Sequence, residues 1–290
     1  FCYSGAKAFT IMMKIAVTGA NGFVGRHILN ELNAVSVNVI ATTRNLEKKL
    51  PIIENGRWVK LDIAAPNENV YELMGRPDTL IHLAWEGLPN YRLTRHSEIE
   101  LPNQYNFLSQ LVEQGLSSMV ITGTCFEYGM QSGSLYEDMS PKPGNPYGLA
   151  KDALRQKLQS LQEASPFNLI WARLFYMYGE GQAENSLWSQ LNKAVAQGDP
   201  VFNMSGGEQL RDFLPVSIAA KYLVQLTLNK NYNGIVNVCS GQPVQVKSLV
   251  KKWISENGWR IRLNLGHYPY PDYEPMKFWG DNSRLLSILK

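Results

Sequence analysis

The stretch MKIAVTGANGFVGRHIL, Met13 to Leu29, most constrains what this chain can fold into. A β-branched apolar run leads directly into glycines at 19, 22 and 25, and the glycines lead into a helical pattern. Such G-x-x-G-x-x-G spacing at a strand-to-helix turn has a physical purpose at each position. Gly19 can turn tightly, Gly22 lets the backbone approach a pyrophosphate, and Gly25 lets helix and strand pack closely. The amides of the loop and first helical turn (Asn21, Phe23 and Val24 with the glycines) then face anionic oxygens. A dinucleotide is the expected occupant.

The pattern beyond this unit alternates apolar strands with amphipathic helices. Candidate strands are KIAVTG, VNVIAT, WVKLDI, DTLIHLAW, SMVITG, FNLIWARL and GIVNVCSG. Candidate helices are Val24–Leu32, Glu98–Gln114, Tyr147–Gln162, Ser186–Gln197 and Ser217–Thr227. Alternation of this kind predicts an α/β fold, a Rossmann-like doubly wound parallel sheet covered on both faces. After Ala172 the alternation loosens, Gly and Pro become frequent, and aromatics cluster in HYPYPDYEPMKFW. We therefore expect a dinucleotide-binding domain over 13–175, with 208–241 returning to it. A smaller C-terminal substrate-binding region over 176–207 and 242–290 completes the chain, and the site lies in the crevice between the two. The first residues, FCYSGAKAFTIM, have no basic–apolar–cleavage pattern, so 1–12 is expected to be an upstream extension.

Composition removes several function classes. No run approaches the ~20 apolar residues of a membrane span, so no membrane partner is expected. The net charge is +3, and the densest basic cluster, Arg44–Lys49, is interrupted by Glu47, so no nucleic-acid footprint is expected either. Cys2, Cys125 and Cys239 are widely spaced and odd in number. They form neither a disulfide framework nor a metal cluster, so a cytoplasmic location and no metal are expected.

The end of the second strand should contact the adenosine ribose. NAD-preferring sites carry Asp or Glu there. This chain reads VIATTRN, with Thr43 and Arg44 and no carboxylate. A guanidinium suits a ribose 2′-phosphate, so NADP(H) is the expected preference, with NAD(H) still open. Asp62 follows the third strand, next to Ile63, either at the adenine or as a turn residue.

Further on, NPYGLAKDALR places Tyr147 and Lys151 on one face of a helix. A free phenol, with a pKa near ~10, is a poor acid–base at neutral pH, and a nearby ammonium would lower that value.

With TGANGFVG, HLA (His82–Ala84), TGTCFEYG, NPYGLAK, RLFYMYG and GEQLRDF, the chain resembles an extended short-chain dehydrogenase/reductase. The resemblance is to the NAD-dependent epimerase/dehydratase group, which acts on nucleotide-linked sugars, and it runs from Met13 to near the C-terminus. It implies a nucleotide-sugar substrate, a homodimer through the helices Glu98–Gln114 and Tyr147–Gln162, and Leu83 and Ala84 against the cofactor. Thr124, four residues before Tyr128, would hydrogen-bond the substrate oxygen while Tyr147 donates the proton and Lys151 holds the nicotinamide ribose. Tyr176 would contact substrate, and Arg211 would either meet a phosphate oxygen or bridge to Asp212. Dehydratases of the group carry an Asp-Glu pair after the Thr, where this chain has Cys125 and Phe126. Epimerase-reductases similar to GDP-fucose synthase use a Cys two residues after the hydroxyl, where Phe126 stands. Cys125 is therefore expected to pack, and Glu127 to be a solvated turn residue or a substrate contact. ELPNQY, FYMYGEGQ, MSGGEQLRDF and YPYPDYEPM narrow the resemblance to bacterial reductases of dTDP-4-dehydro-6-deoxyglucose that form dTDP-fucose. A 4-epimerase or a non-catalytic regulator of the same fold are the alternatives.

Overall fold

The computed structural model describes residues 12–229 and 231–290. The expected extension 1–12, apart from Met12, lies outside the described residues, as does Cys2. From Met12 the chain runs β1 (Lys14–Thr18), α1 (Phe23–Asn33), β2 (Asn38–Thr43), β3 (Gly56–Lys60), α2 (Val70–Leu73) and β4 (Thr79–His82). A π-helical turn, His96–Glu100, opens α3 (Leu101–Glu113). Then come β5 (Ser118–Thr124), a 3-10 turn (Cys125–Tyr128), β6 (Gly133–Leu135), α4 (Pro146–Ala164) and β7 (Asn168–Leu174). The remainder comprises β8 (Tyr176–Tyr178), α5 (Leu187–Gln197), β9 (Val201–Asn203), β10 (Leu210–Pro215), α6 (Val216–Leu228) and β11 (Gly234–Val238). It closes with β12 (Pro243–Gln245), α7 (Val246–Glu256), β13 (Arg262–Asn264), β14 (Phe278–Gly280) and α8 (Ser283–Ile288).

Seven strands form one parallel sheet in the order β11-β7-β5-β4-β1-β2-β3, a Rossmann-like doubly wound arrangement. The period-2 alternation of each strand divides its side chains between two cores. Ile15, Val17, Val39, Ala41, Val120 and Ile170 face α1 and α6, where Ile28, Leu32 and Leu223 are buried. Ala16, Ile40, Met119, Ile121 and Trp171 face the other way, onto Phe107, Leu108, Leu154 and Leu158 of α3 and α4. Helices on both faces explain why the strands read as continuous apolar runs.

A smaller unit stands at the carboxyl ends of the strands. Its sheet is β12-β10-β8, beside the pairs β13-β9 and β14-β6. Leu191, Phe202, Leu249, Val250 and Trp253 form its core, with Trp188 edge-on to Trp253 at 4.9 Å. The division of the chain differs from the expected one at two places. β10 lies within the span 208–241 but pairs with β8 and β12, because its backbone is taken up by their edges. α8 lies within 242–290 yet buries Leu285 in the main core.

The carboxyl ends of β5 and β7 are joined by one buried ion pair. Thr124 and Glu127 form a reciprocal cap on the 3-10 turn: Phe126 N–H donates to Thr124 Oγ1 at 3.3 Å, and Thr124 N–H donates to Glu127 Oε1 at 2.8 Å. Glu127 also accepts from Arg173 Nε at 2.7 Å and from Trp171 Nε1 at 3.0 Å. Its side chain is 0% exposed, so Glu127 is neither the solvated turn residue nor the substrate contact expected from sequence. Glu127→Gln leaves the Arg173 charge buried and unmatched. We expect it to destabilise the fold by about 3–5 kcal/mol in urea unfolding, whereas a loss below about 1 kcal/mol would show that the pair does not hold these strands.

Candidate active site

The order of the sheet reverses between β1 and β4, and a cavity of about 850 Å³ opens above their carboxyl ends. It gathers the expected cofactor residues Gly19, Asn21, Gly22, Phe23, Val24, Gly25, Thr43, Arg44, Asp62, Ile63, Leu83 and Ala84. Thr124, Tyr147, Lys151 and Tyr176 line the same cavity. The glycine loop fits a dinucleotide by its lack of side chains. Gly19 has φ +68°, and a Cβ there would lie 2.8 Å from the Ala84 nitrogen. A Cβ on Gly25 would sit 2.3 Å from the Gly19 carbonyl oxygen, a backbone contact that cannot yield. The loop is therefore pressed against β4 and its own helix, with the first helical amides left towards the cavity.

At the adenosine end, Arg44 is largely exposed and its guanidinium meets the Glu86 carboxylate. Glu86 is held by Arg95 at 2.7 Å, and Arg95 in turn reaches the buried Glu100 at 3.3 Å. Lys48 lines the same end. Asp62 both borders the cavity and accepts the Ala64 N–H at 3.0 Å, so it serves as a turn residue as well as a wall.

Tyr147 and Lys151 lie on the first two turns of α4, which starts from an Asn145 cap whose Oδ1 accepts the Gly148 N–H at 2.8 Å. Lys151 Nζ donates to the Thr122 carbonyl at 2.9 Å and lies 4.0 Å from the centre of the Trp85 ring. Burial pushes Lys151 down to about 7, against the opposing pull of Glu127 and Glu100. The Tyr147 phenol was expected to be lowered by the ammonium. Instead it is raised well above its ordinary value, chiefly by burial and then by Tyr91, Glu127 and Cys125, with only the Thr124 hydroxyl opposing. The Tyr147 phenol thus keeps its proton across the physiological range. Because Thr124 Oγ1 already accepts the Phe126 N–H, its proton remains available for an oxygen at Tyr147.

His82, in the HLA run, is structural. Its ring is fully buried between Thr18 at 2.8 Å and Gln104 at 2.7 Å, and burial pushes it down to about 3. Cys125 touches the cavity, but its thiol is buried and burial raises it, so it has no thiolate character. Tyr91 and Phe126 pack against Tyr147, at 5.6 Å and 6.4 Å from its ring, and Tyr273 packs behind them on both. Among the described residues lining the cavity, the carboxylates are Asp62, Glu86 and Glu100, all outside this aromatic group.

Arg211 is not on the cavity wall. Its guanidinium is buried above the Phe278 ring, donates to the Leu210 and Met276 carbonyls, and pairs with Glu274 at 3.0 Å. It is therefore not presented to a phosphate here, because Glu274 already neutralises it. Nor does it bridge to Asp212, whose carboxylate accepts the Ser240 and Gly241 N–H groups. The Tyr176 hydroxyl also meets Glu274. Sequence reasoning missed Trp85, Tyr91, His96 and Glu274. Only Trp85 carried a local signal, as an aromatic placed directly after HLA at a strand end. No group of three or more metal-ligating side chains occurs among the described residues.

The model of the NAD dependent epimerase/dehydratase family matches residues 15–239. A protein of Aggregatibacter actinomycetemcomitans named dTDP-6-deoxy-L-talose 4-dehydrogenase (NAD(+)) is 30% identical over 92% of this chain and 99% of its own. A GDP-6-deoxy-D-mannose reductase of Pseudomonas aeruginosa is 24% identical over 82% of this chain and 78% of its own. The solved structure of MoeE5 in complex with UDP-glucuronic acid and NAD superposes with a TM-score of 0.80 at 26% identity, covering 95% of this chain and 92% of that one. With the glycine cradle, the sheet reversal above it and these matches, the chain belongs to the NAD dependent epimerase/dehydratase family.

Proposed function

We propose that the protein reduces the keto group of a nucleotide-linked 4-keto-6-deoxy sugar, with dTDP-4-dehydro-6-deoxyglucose and dTDP-fucose as the specific pair. The observation that carries this reading is a neutral, buried Tyr147 beside the Thr124 hydroxyl, with the cavity's carboxylates all outside its aromatic surround. When bound, the dinucleotide supplies the hydride. The protein's part is to hold and protonate the oxygen: Thr124 donates a hydrogen bond as negative charge grows there, and Tyr147 delivers the proton. Lys151, committed to the Thr122 carbonyl, lies one helical turn below the phenol. Dehydration would need a carboxylic acid and a carboxylate next to the sugar ring, and epimerisation at an adjacent carbon would need a base there. The walls at Tyr147 offer Tyr91 and Phe126 instead, apolar faces suited to a 6-deoxy methyl group. The relative named for dTDP-6-deoxy-L-talose supports a dTDP-linked 6-deoxy sugar altered at carbon 4. We further propose a cytoplasmic homodimer that makes precursors of bacterial surface polysaccharide, with α3 and α4 as the shared face. Ile99, in the turn that opens α3, and Leu149 on α4 stand exposed.

For the cofactor we propose a preference for NADP(H), with NAD(H) also accepted. Arg44 and Lys48 flank the adenosine end, and no carboxylate ends β2. The exposed Arg44–Glu86 pair is worth at most about 1 kcal/mol, less than a charge-assisted phosphate contact of roughly 1.5–3 kcal/mol, so a 2′-phosphate would displace it. The relative named with NAD(+) makes the opposite preference the direct competitor. Arg44→Ala should weaken NADPH binding by about 10- to 150-fold and leave NADH nearly unchanged. Equal affinities for both cofactors in the unaltered protein would reject the preference.

The reaction is tested with a panel of dTDP-, GDP- and UDP-linked 4-keto-6-deoxy sugars, following NADPH and NADH consumption. Turnover should be confined to 4-keto sugars, and Tyr147→Phe should slow it by about 10²–10⁴ with cofactor binding kept. Activity of Tyr147→Phe within a few-fold of the unaltered protein would remove the phenol from the chemistry.

A further inference from the structure

Trp85, the first residue after the HLA run, occupies a position that the reading above leaves unexplained. Its indole lies 4.0 Å from Lys151 Nζ and meets the Tyr147 ring edge-on at 5.9 Å. The indole is locked in place from behind. Its Nε1–H donates to His96 Nδ1 at 3.0 Å, and His96 Nε2 lies 2.8 Å from the Asn90 carbonyl. An indole can only donate and a carbonyl can only accept, so His96 is held as the neutral tautomer with its proton on Nε2. The His96 ring itself lies 5.3 Å from that of Tyr147 and is fully buried.

Two backbone features exist around this lock. Gly87 has φ +86°, and a Cβ there would stand 2.9 Å from His96 Cε1. His96 also begins the π-helical turn that opens α3, and the wide turn buries both His96 and Glu100. π-Turns of this kind concentrate at functional sites. A plain wall of the cavity would need neither device.

We propose that Trp85, fixed by His96, is a positioning residue that roofs Lys151, holding its ammonium at the Thr122 carbonyl and away from water. The indole face attracts the ammonium while its bulk excludes solvent, so one of the three Lys151 donors stays fixed on the Thr122 carbonyl. The charged or titratable groups facing Lys151 from the elements around it are Glu127 after β5, Glu100 before α3, His82 on β4 and Tyr147 on its own helix. Of these, Tyr147 is the one whose ring also packs on Trp85. Of the two effects of the indole, exclusion of water is the larger: burial holds Lys151 near 7, whereas a cation–π contact shifts such a group by no more than about one unit.

The inference rests on the proposal that Lys151 and Tyr147 work together, but its test needs no substrate. The Lys151 side-chain carbon resonance, assigned with Lys151→Arg, is followed against pH in protein labelled with ¹³C-lysine. In the unaltered protein the midpoint is expected near 7. Trp85→Ala admits water and should raise it by about one pH unit or more. His96→Leu, which unlocks the indole without touching Lys151, should raise it in the same direction. Trp85→Phe keeps a ring but loses the N–H that binds His96, so it should raise the midpoint as His96→Leu does, and by less than Trp85→Ala. An unchanged midpoint in a folded Trp85→Ala or His96→Leu protein would overturn the proposal. Failure of the whole sugar panel, with these shifts present, would reject the substrate reading alone.

Discussion

The Glu127 carboxylate, sealed between β5 and β7, is the interaction on which the site depends. It holds the Thr124 N–H, the Trp171 indole and the Arg173 guanidinium at once. Without it the 3-10 turn after β5 would lose one half of its reciprocal cap, and the Thr124 hydroxyl would lose its direction. A buried pair of this kind adds little net stability over an apolar alternative, but breaking it is costly. Its value here is geometric. It fixes the Thr124 hydroxyl to the rigid strand end beside Tyr147, and preorganised donors are what the proposed chemistry needs to stabilise developing charge.

Desolvation then sets the chemistry. Tyr147 and Lys151 are both buried, and burial acts oppositely on a phenol and an ammonium: it raises the first and lowers the second. At neutral pH the phenol keeps its proton. That state suits delivery of a proton to a new alkoxide, the direction of ketone reduction, whereas alcohol oxidation begins with the phenol's proton removed. The rings of Tyr91 and Phe126 extend the same dry surface along the cavity.

Much of this was legible in the sequence because the signals are local. The strand, glycines and helix from Met13 to Leu29 specify their own turn, and each of the seven main strands announced itself as an apolar run. The Tyr147–Lys151 spacing needs only one helix. Other features depended on which distant groups meet. Arg211 reads as a phosphate contact or a bridge to Asp212 in GEQLRDF, yet Glu274, sixty-three positions on, neutralises it. Glu127 reads as a turn residue, yet Arg173 on the next strand makes its burial possible. The short strands β8, β9, β12 and β13 are three residues each, too brief to show a period. α7 does carry helical spacing at Leu249, Val250 and Trp253, but it follows a Gly- and Pro-rich stretch that masked its start.

The central claim is that this site holds and protonates a single oxygen and never removes a proton from carbon. Product analysis after turnover in deuterated water tests it most directly. The account predicts a product alcohol whose carbon-bound hydrogens are all unexchanged, because the solvent proton carried by Tyr147 goes to oxygen alone. Deuterium at carbon 3 or carbon 5 of the sugar, appearing only with enzyme present, would contradict it.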